Sequence, residues 1–350
     1  LLELLNKKSL SSKQKRALKE SNFAPLYFLN LGETKLIGIT GTDGKTTTST
    51  MIYHLLEKSG IKAGLITTVM AKVGDQVMDT GLHVTTPSAQ KLTDILKKML
   101  DHKPQVIVLE ITSHGLAHHR VDGLELDVGV FTNITSEHLD FHQTWKKYAE
   151  DKAKMIAMIK DKGTCVLNKD DPSFNFLEKK VNQNRVDILT YGSKDTDLAL
   201  KQAKTSDEGI EAVVKFKDKE LNLSLPIQGK YNLYNVSAAL LAANCLGINL
   251  EKGLLALKDF QLPKGRMQVI QKQPFWVIVD FAHTPNAMDK ALSSAKQLVE
   301  LDKKLYVVFG AAGQRDKYKR EQMGKIAGQY ADVIILVPED PRREKTAQIN

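Results

Sequence analysis

The sequence is poor in cysteine, which excludes a disulfide-rich or cysteine-ligated protein. Its 350 residues include only Cys165 and Cys245, and their separation matches no metal or redox spacing. Both lie in apolar surroundings, as buried free thiols usually do. So little cysteine suits a reducing compartment, and we therefore expect a cytoplasmic protein.

The sequence also lacks an apolar run of the roughly 20 residues needed to cross a bilayer. The longest candidate, residues 236–248, has a helical pattern and is interrupted by Asn244 and Gly247. With 42% hydrophobic and 26% charged residues, the composition is typical of a globular enzyme of two or three domains. We expect no membrane insertion.

Positive charge is abundant, but no basic tract concentrates it. The formal net charge is +9 and the isoelectric point is near 9.2. Most of the cations are lysines spread along the chain, and no aromatic stacking platform accompanies them, so we expect no nucleic-acid binding. A diffuse positive field suits polyanionic small molecules instead.

Short β-rich runs alternate with helical patterns along most of the chain. Residues 1–33 have a Lys-rich opening and are interpreted as a linker or the remnant of an N-terminal region. Residues 34–262 predict a parallel sheet flanked by helices, with a small antiparallel β insertion at residues 187–225. Residues 263–350 predict a Rossmann-like α/β unit, which we expect to be truncated because its final strands are missing. The predicted fold class is therefore α/β.

The patterns also predict the bounds of the main elements. In the first unit we expect strands at 35–40, 64–68, 105–111, 128–132 and 163–167, and helices at 46–59, 88–100, 146–159 and 232–246. In the second unit we expect strands at 276–281, 304–310 and 332–337, and helices at 285–299 and 318–330.

A glycine-rich loop follows the first strand, in the run IGITGTDGKTTT. Gly41 and Gly44 allow backbone N–H groups to turn inward, next to the positive end of the following helix. Lys45 can reach terminal phosphates, and the hydroxyl of Thr46 can bind Mg²⁺. The run therefore predicts a nucleotide-phosphate loop, in a short variant because Ile39 stands where the common pattern has glycine.

Polar residues follow two further strands. Glu110 ends one strand, and the run TNITSEHLD follows the next. Ligands gather at the carboxyl ends of parallel strands, so Glu110 is expected near the loop, where it can complete the coordination of Mg²⁺ with Thr46. Five histidines between His114 and His142 raise zinc as an alternative, but oxygen-rich neighbours favour magnesium.

Several blocks follow one another in a fixed order: GTDGKTTT, TTP, LEITSHGLAHHRVDGLELDVGVFTNITSEHLDFH, YAEDKAK, LNKDD, GKYNLYN, GRMQ, VDFAHTPNAMDKAL and FGAAGQRDKYKREQMG. In this order they resemble the Mur ligases over about residues 35–342. They are most similar to the branch that adds a diamino acid to UDP-N-acetylmuramoyl-L-alanyl-D-glutamate. The resemblance implies an ATP- and Mg²⁺-dependent ligase of peptidoglycan precursor synthesis that forms an amide bond through an acyl phosphate. We expect a cytoplasmic monomer that acts on small molecules.

The resemblance also implies a role for each matching residue. The phosphate loop comprises Gly41, Thr42, Asp43, Gly44, Lys45, Thr46 and Thr47. Magnesium ligation falls to Thr46, Glu110, His138 and a carbamylated Lys152, and the catalytic set is Lys45, Glu110, His138 and Lys152. Nucleotide contacts fall to Asn232, Asn235, Arg266, Asp280 and His283. The muramoyl dipeptide is held by Thr85, Thr86, Thr112, His118 and Arg120, and the incoming amino acid by Arg315 and Arg342.

Some positions depart from the family pattern. Asp43 replaces the more usual asparagine, and the run Glu339-Asp340-Pro341-Arg342 only approximates the Asp-Asn-Pro-Arg signature of diaminopimelate-adding members. We favour meso-diaminopimelate over lysine as the added amino acid because Arg342 can pair with its extra carboxylate. The acidic pair before Pro341 would instead suit the ammonium of lysine.

Two other functions stay open. A folylpolyglutamate synthase-like ligase shares the loop and the acyl phosphate, but residues 112–123 resemble the muramoyl branch more. A catalytically idle nucleotide-binding subunit is the other alternative. The presence of Lys45, Glu110, His138 and Lys152 argues against it.

Overall fold

The computed structural model describes residues 24–27, 29–78, 85–135, 137–314 and 316–349. The helices of the first unit are α1 (Ala24–Tyr27), α2 (Lys45–Lys58), α3 (Ala89–Leu100), α4 (Ser113–Ala117), α5 (Leu139–His142), α6 (Trp145–Ala153), α7 (Phe174–Val181), α8 (Asn232–Asn244) and α9 (Leu250–Ala256). Its strands are β1 (Lys35–Thr40), β2 (Ala63–Ile66), β3 (Ala71–Val73), β4 (Gln76–Met78), β5 (Val106–Glu110), β6 (Leu126–Phe131), β7 (Ile159–Asn168), β8 (Asp187–Gly192), β9 (Leu198–Thr205), β10 (Ile210–Phe216) and β11 (Lys219–Leu225).

The second unit is smaller. Its elements are β12 (Gln268–Gln271), β13 (Val277–Val279), α10 (Pro285–Lys296), β14 (Tyr306–Phe309), α11 (Tyr318–Tyr330), β15 (Val333–Leu336) and α12 (Thr346–Ile349). Short 3₁₀ helices at Lys154–Met158 and Leu257–Asp259 belong to the first unit. No helix in the described ranges has both the length and the apolar character that a membrane span requires.

One sheet of 11 strands runs through the described part of the first unit, in the order β11-β10-β9-β8-β7-β6-β1-β5-β2-β3-β4. Its centre, from β9 across to β2, is parallel, and both ends continue as antiparallel strands. Strand β1 lies between β5 and β6, with Ile39 opposite Glu110 and Thr40 opposite Phe131. The loops that follow these three strands therefore leave the sheet side by side.

Helices cover both faces of this sheet. Side chains alternate along a strand, and in β5 Val106 and Val108 belong to one buried cluster while Ile107 and Leu109 belong to another. Helices α2, α8 and α9 pack on the first cluster, and α3, α6 and α7 pack on the second. Because β1 and β5 are buried on both faces, their sequences are nearly continuous apolar runs.

The second unit has a modest core of its own. Helices α10 and α11 pack together through Met288, Leu292, Met323 and Ala327. Strand β12 pairs antiparallel with β13, and β14 pairs parallel with β15. Apolar side chains on these short strands stay accessible, and Val308 is 59% exposed.

The predicted α/β class is confirmed, and α11 has the predicted bounds. Two details differ. The strands at 187–225 are not a separate insertion, because β8 extends the parallel sheet and β9–β11 continue it. In the described part of the second unit, the expected single half sheet is two separate pairs, and one of them includes β12, which was not predicted. The domain boundary near residue 263 stays a prediction.

Candidate active site

The loop between β1 and α2 needs both of its glycines. Gly44, which precedes α2, has a left-handed backbone with φ of 81°. A Cβ at Gly44 would lie 2.2 Å from the Oδ1 atom of Asn235, and one at Gly41 would lie 1.8 Å from the Oγ1 atom of Thr132. Neither neighbour leaves room for a side chain, so the loop can pass this close to α8 and to the end of β6 only with glycine.

Residues that follow β6 fix the backbone of the loop. The amide of Asp43 donates to the side-chain oxygen of Asn133 at 3.0 Å, and the hydroxyl of Thr132 donates to the Asp43 carbonyl at 2.6 Å. The hydroxyl of Thr42 lies 3.0 Å from that of Tyr148 on α6. Sequence reasoning gave Thr132, Asn133 and Tyr148 no role. Thr132 and Asn133 directly follow a strand of the central sheet, and Tyr148 lies on the helix of the YAEDKAK block. These positions could have indicated a role at the loop.

Two lysines converge on the same loop. The Lys45 ammonium donates to the carbonyl oxygens of Gly41 at 2.9 Å and Thr42 at 2.6 Å. Lys152, whose side chain is completely buried, also donates to the Gly41 carbonyl and lies over the ring of Tyr148. Burial, and then the nearby charge of Lys45, hold the pKa of Lys152 well below its usual value. The loop therefore carries the Lys45 ammonium beside a second lysine whose burial favours the neutral amine.

Thr46 and Glu110, predicted to act together, are in direct contact. The Thr46 hydroxyl donates to the Glu110 carboxylate at 2.9 Å, and Glu110 is only 1% exposed. The backbone amide of Thr68 donates to the same carboxylate oxygen at 3.1 Å. Arg266 of the second unit donates to the Thr46 hydroxyl at 3.3 Å. Thr68 was not predicted, although it follows β2 at the same edge of the sheet.

The donor atoms at this edge suit magnesium better than zinc. A buried carboxylate and a hydroxyl are hard oxygen ligands, which Mg²⁺ prefers. Across the ranges that the structure describes, no three His, Cys, Asp or Glu side chains are grouped so as to hold a metal ion. Of the four predicted ligands, the structure joins Thr46 to Glu110 by a hydrogen bond. His138 and Lys152 make their contacts elsewhere around the loop.

Four histidines between residues 114 and 142 form an aromatic cluster with Phe141, namely His114, His118, His138 and His142. The ring of His114 lies 4.6 Å from that of His138 and 4.5 Å from that of Phe141. Burial and then neighbouring imidazoles lower the pKa of His114 to about 4. Burial also dominates at His138, where it outweighs the opposing charge of Glu137 and lowers the pKa to about 4. Both imidazoles are therefore neutral near pH 7.

Glu137 is a buried carboxylate that joins the two units. Its Oε1 atom lies 3.4 Å from His138 and 3.2 Å from His283 of the second unit, and its Oε2 atom accepts from the Tyr148 hydroxyl at 3.4 Å. Burial would raise its pKa, but the hydrogen bond from His283 and the charges of His138 and Lys45 lower it further than burial raises it. Sequence reasoning assigned no role to Glu137.

The predicted adenine pair, Asn232 and Asn235, lies buried at the start of α8. The Asn235 amide donates to the side-chain oxygen of Asn232 at 2.8 Å, and Asn232 donates to the Gln228 carbonyl at 2.8 Å. The hydroxyl of Thr48 on α2 donates to Asn235 at 3.4 Å. These contacts place the pair directly behind the loop, next to Gly44. Thr47 is buried on α2.

The second unit presents Arg266, Asp280 and His283 to the loop side. The guanidinium of Arg266 lies 4.9 Å from the ring centroid of Phe281. Asp280 accepts from the amides of Met267 and Ala282, both at 2.7 Å, so it holds the turn that carries Arg266. Burial raises the pKa of Asp280. The structure therefore brings Arg266 and His283 into contact with first-unit residues, whereas the contacts of Asp280 are structural.

The predicted substrate residues of the first unit are brought together. The hydroxyls of Thr86 and Thr112 lie 2.9 Å apart, and Arg120 donates to the Thr86 carbonyl at 3.0 Å. The hydroxyl of Thr85 lies 2.9 Å from that of Thr68, which connects this group to Glu110. His118 ends α4 and packs against Phe141 at 5.1 Å between ring centroids.

Of the two arginines predicted to bind the incoming amino acid, the structure describes one. Arg315 lies outside the described residues. Arg342, at a left-handed backbone position with φ of 51°, donates to the Asp340 carboxylate at 3.2 Å. Its side chain is 35% exposed, so Asp340 offsets part of its charge while the guanidinium stays accessible. A second arginine, Arg320, pairs with Glu344 of the same loop at 2.6 Å.

Together the fold and the loop define a class: proteins with two α/β units and a glycine loop between the first strand of the sheet and the helix that follows it. Comparison with known families narrows the class. The Mur ligase middle domain matches residues 39–243, and the Mur ligase glutamate ligase domain matches residues 265–350. The chain belongs to the Mur ligase family.

Similar proteins agree with this membership. The UDP-N-acetylmuramoyl-L-alanyl-D-glutamate–2,6-diaminopimelate ligase of Caldanaerobacter subterraneus subsp. tengcongensis is 38% identical over 316 residues, which cover 90% of this chain and 64% of the relative. The chain thus spans less than two thirds of that relative's length. A solved ligase structure with the same description has 29% identity and a TM-score of 0.70, covering 96% of this chain and 67% of its own.

A folylpolyglutamate synthase of Mycobacterium tuberculosis also has this fold. Its solved structure, complexed with ADP and AMPPCP, has a TM-score of 0.75 and covers 92% of this chain and 77% of its own. The identity is 16%, so this likeness concerns the fold alone.

Proposed function

We propose that this chain is the catalytic part of an ATP-dependent ligase that adds a diamino acid to UDP-N-acetylmuramoyl-L-alanyl-D-glutamate. The observation that carries the proposal is the convergence of Lys45, Lys152 and the Thr46–Glu110 pair on one glycine loop. The 38% identical relative is named for this reaction with 2,6-diaminopimelate. Cytoplasmic location and action as a monomer stay predictions.

The reaction places strong electrostatic demands on the site. A substrate carboxylate attacks the γ-phosphorus of ATP, and the bond to the ADP oxygen breaks. A free amine then attacks the resulting acyl phosphate, forms the amide and expels phosphate. Two unit negative charges 4 Å apart repel by about 4 kcal/mol at an effective dielectric of 20. Lys45 and the backbone amides of the loop offset this repulsion by binding the phosphate oxygens.

Magnesium fits the oxygen donors of Thr46 and Glu110, which would hold it beside the loop. When bound, it supplies positive charge that further offsets the negative phosphates. Glu110 is kept in position by the amide of Thr68, and Arg266 approaches the same hydroxyl from the second unit. This arrangement lets the second unit contribute a cation to the nucleotide and exclude water from the acyl phosphate.

A carbamylated Lys152 is part of the proposal. Its amine is fully buried next to Lys45 and the Gly41 carbonyl, where an ammonium would add a second positive charge to a desolvated site. Addition of the neutral amine to CO₂ forms an N–C bond and releases one proton, which gives a carbamate anion. A carbamate would turn repulsion of a divalent cation into ligation.

We propose meso-diaminopimelate as the added amino acid. Its far carboxylate needs a cation, and Arg342 is accessible in the loop between β15 and α12, which the Arg320–Glu344 pair supports. A bidentate pair between arginine and carboxylate is strong and selective in its geometry. Asp340, which already accepts from Arg342, orients the guanidinium and reduces its net charge.

A direct assay tests the proposal. The chain is incubated with ATP, Mg²⁺, UDP-N-acetylmuramoyl-L-alanyl-D-glutamate and either meso-diaminopimelate or lysine, and phosphate release and product mass are recorded. We expect phosphate release that depends on both substrates and a product heavier by one diaminopimelate residue. Turnover with a folate and glutamate in place of these substrates would favour the folylpolyglutamate synthase-like alternative. Nucleotide binding without turnover on any acceptor would favour an idle subunit.

A further inference from the structure

Asp43 connects the phosphate loop to the second unit through its side chain. Its Oδ1 atom accepts from the Thr284 hydroxyl at 3.2 Å, and its Oδ2 atom accepts from the Asn286 amide at 2.5 Å. Asp43 belongs to the first unit, whereas both partners lie at the start of α10. A single carboxylate therefore receives two hydrogen bonds across the boundary between the units.

The start of α10 is well suited to a negative charge. Thr284 caps this 12-residue helix, and its hydroxyl accepts from the Ala287 amide at 3.1 Å while facing Asp43. Pro285 occupies the first turn. The positive end of the helix dipole thus points towards the Asp43 carboxylate, which adds to the two hydrogen bonds. The second unit supplies all three of these interactions.

The backbone of Asp43 is fixed independently by the first unit. Its amide donates to Asn133 and its carbonyl accepts from Thr132. The carboxylate therefore stays beside the loop whether or not the second unit is near. A negative charge there opposes the binding of phosphate, because like charges repel. The approach of α10 adds two hydrogen bonds and the positive end of a helix dipole, which offset this charge.

We propose that Asp43, Thr284 and Asn286 form a latch that couples closure of the second unit to occupation of the loop by a polyphosphate anion. With the latch engaged, α10 compensates the charge of Asp43, so closure and nucleotide binding favour each other. Asp43 is then a positioning residue. The identity of the anion as ATP rests on the proposed function, but the latch itself does not.

Two other contacts join the second unit to the first, from Arg266 to Thr46 at 3.3 Å and from His283 to Glu137 at 3.2 Å. Both bring a cation or a donor from the second unit to groups that Mg²⁺ or phosphate would also approach. The Asp43 contact differs because neither Thr284 nor Asn286 is among the residues proposed to bind the metal or the nucleotide. It can therefore be altered without changing a proposed metal ligand.

A swap of hydrogen-bond polarity tests the latch. In Asn286→Asp two carboxylates face each other. In Asp43→Asn one of the two acceptor oxygens becomes an amino group, so one of the hydrogen bonds from Thr284 and Asn286 is lost. In the double variant, the amide at position 43 can donate to the carboxylate at position 286. We expect Asn286→Asp to weaken ADP binding about tenfold, as loss of a hydrogen bond to a charged group does, and the double variant to recover most of that loss.

The separation of the units gives a second readout. Spin labels at Lys98→Cys on α3 and Gln322→Cys on α11, two exposed positions, report the distance between the units by double electron–electron resonance. The labelled protein also carries Cys245→Ser, whereas Cys165 is buried and can stay. We expect the ADP-free single variants to populate longer distances than the parent, and the double variant to return towards it. Asn222→Asp adds the same charge at an exposed position on β11 and should change nothing.

Melting temperatures separate the latch from damage to the fold. An acidic residue in the first turn of α10 is favourable and offsets part of the carboxylate repulsion, so Asn286→Asp should keep a cooperative melting transition. The latch is refuted if Asn286→Asp keeps the parent distances and ADP affinity, or if the double variant is no closer to the parent than the single variants. Failure of the proposed function would show separately, as absence of turnover by the parent protein with an intact distance response.

Discussion

The side chains of Lys45 and Lys152 donate to one carbonyl oxygen, that of Gly41, at 2.9 and 2.6 Å. Lys45 begins the helix after the phosphate loop, whereas Lys152 lies on α6. The two amino groups come from different helices and meet at the first glycine of the loop. Burial and then the charge of Lys45 lower the pKa of Lys152, so Lys152 loses its proton more readily than an exposed lysine does.

Replacing Lys45 with alanine should abolish most of the ligase activity. Its ammonium caps the loop where the phosphates would bind, and loss of one preorganised donor of this kind costs about 3–4 kcal/mol, or roughly a hundred- to thousandfold in kcat. Steady-state phosphate release measures the effect. Lys97→Ala, at an exposed position on α3, is the matched control. Near-normal turnover by folded Lys45→Ala would contradict the proposal that this loop binds the phosphates of ATP.

Lys152→Ala should also lose activity, for a different reason. The change deletes the group that we propose to be carbamylated, so small carboxylates such as acetate should partly restore turnover by entering the space. In the parent protein, bicarbonate enriched in ¹³C should give a carbamate resonance that Lys152→Ala lacks. A parent protein with no such resonance, and with activity that is indifferent to removal of CO₂, would contradict carbamylation.

Much of this site could be predicted from the sequence. A strand, two glycines, lysine, threonine and a helix in that order define the loop, and the pairing of Thr46 with Glu110 follows from the adjacency of β1 and β5 in a parallel sheet. Local patterns sufficed because each of these residues ends or follows a strand, or lies in the first turn of a helix.

The contacts that were missed depend on tertiary packing. Thr68 and Asn133 act on the site through a backbone amide and a side-chain amide that no local pattern marks. Glu137 becomes a junction only because the second unit brings His283 to it. The joining of β8 to β9 in the main sheet was missed because alternating polarity predicts a strand but not its neighbour.

Glu137→Gln should weaken the junction between the units. The amide keeps the shape of the side chain but removes the charge that faces His138 and His283. Hydrogen bonds to charged groups contribute about 1.5–3 kcal/mol, and we expect the free energy of unfolding to fall by about that amount. Chemical denaturation measures it, and a cycle with His283→Gln isolates the pair. Additive effects of the two changes would show that the contact contributes nothing.

Arg342→Ala should erase most of the preference for diaminopimelate over lysine. The parent enzyme should favour diaminopimelate by about a hundredfold in kcat/KM, because a site built to bind a carboxylate discriminates against an analogue without it. Arg343→Ala, which changes the adjacent exposed arginine, should leave the preference intact. Equal or better use of lysine by the parent would assign the specificity to Glu339 and Asp340 instead.

Transfer of oxygen from the acceptor carboxylate to phosphate tests the central claim most directly. In the proposed reaction a carboxylate oxygen attacks phosphorus and leaves with it when the amine displaces the phosphate. A muramoyl dipeptide labelled with ¹⁸O in the reacting carboxylate should therefore yield inorganic phosphate that carries one ¹⁸O atom, detected by ³¹P resonance or mass spectrometry. Amide product formed with phosphate free of ¹⁸O would contradict the acyl-phosphate mechanism.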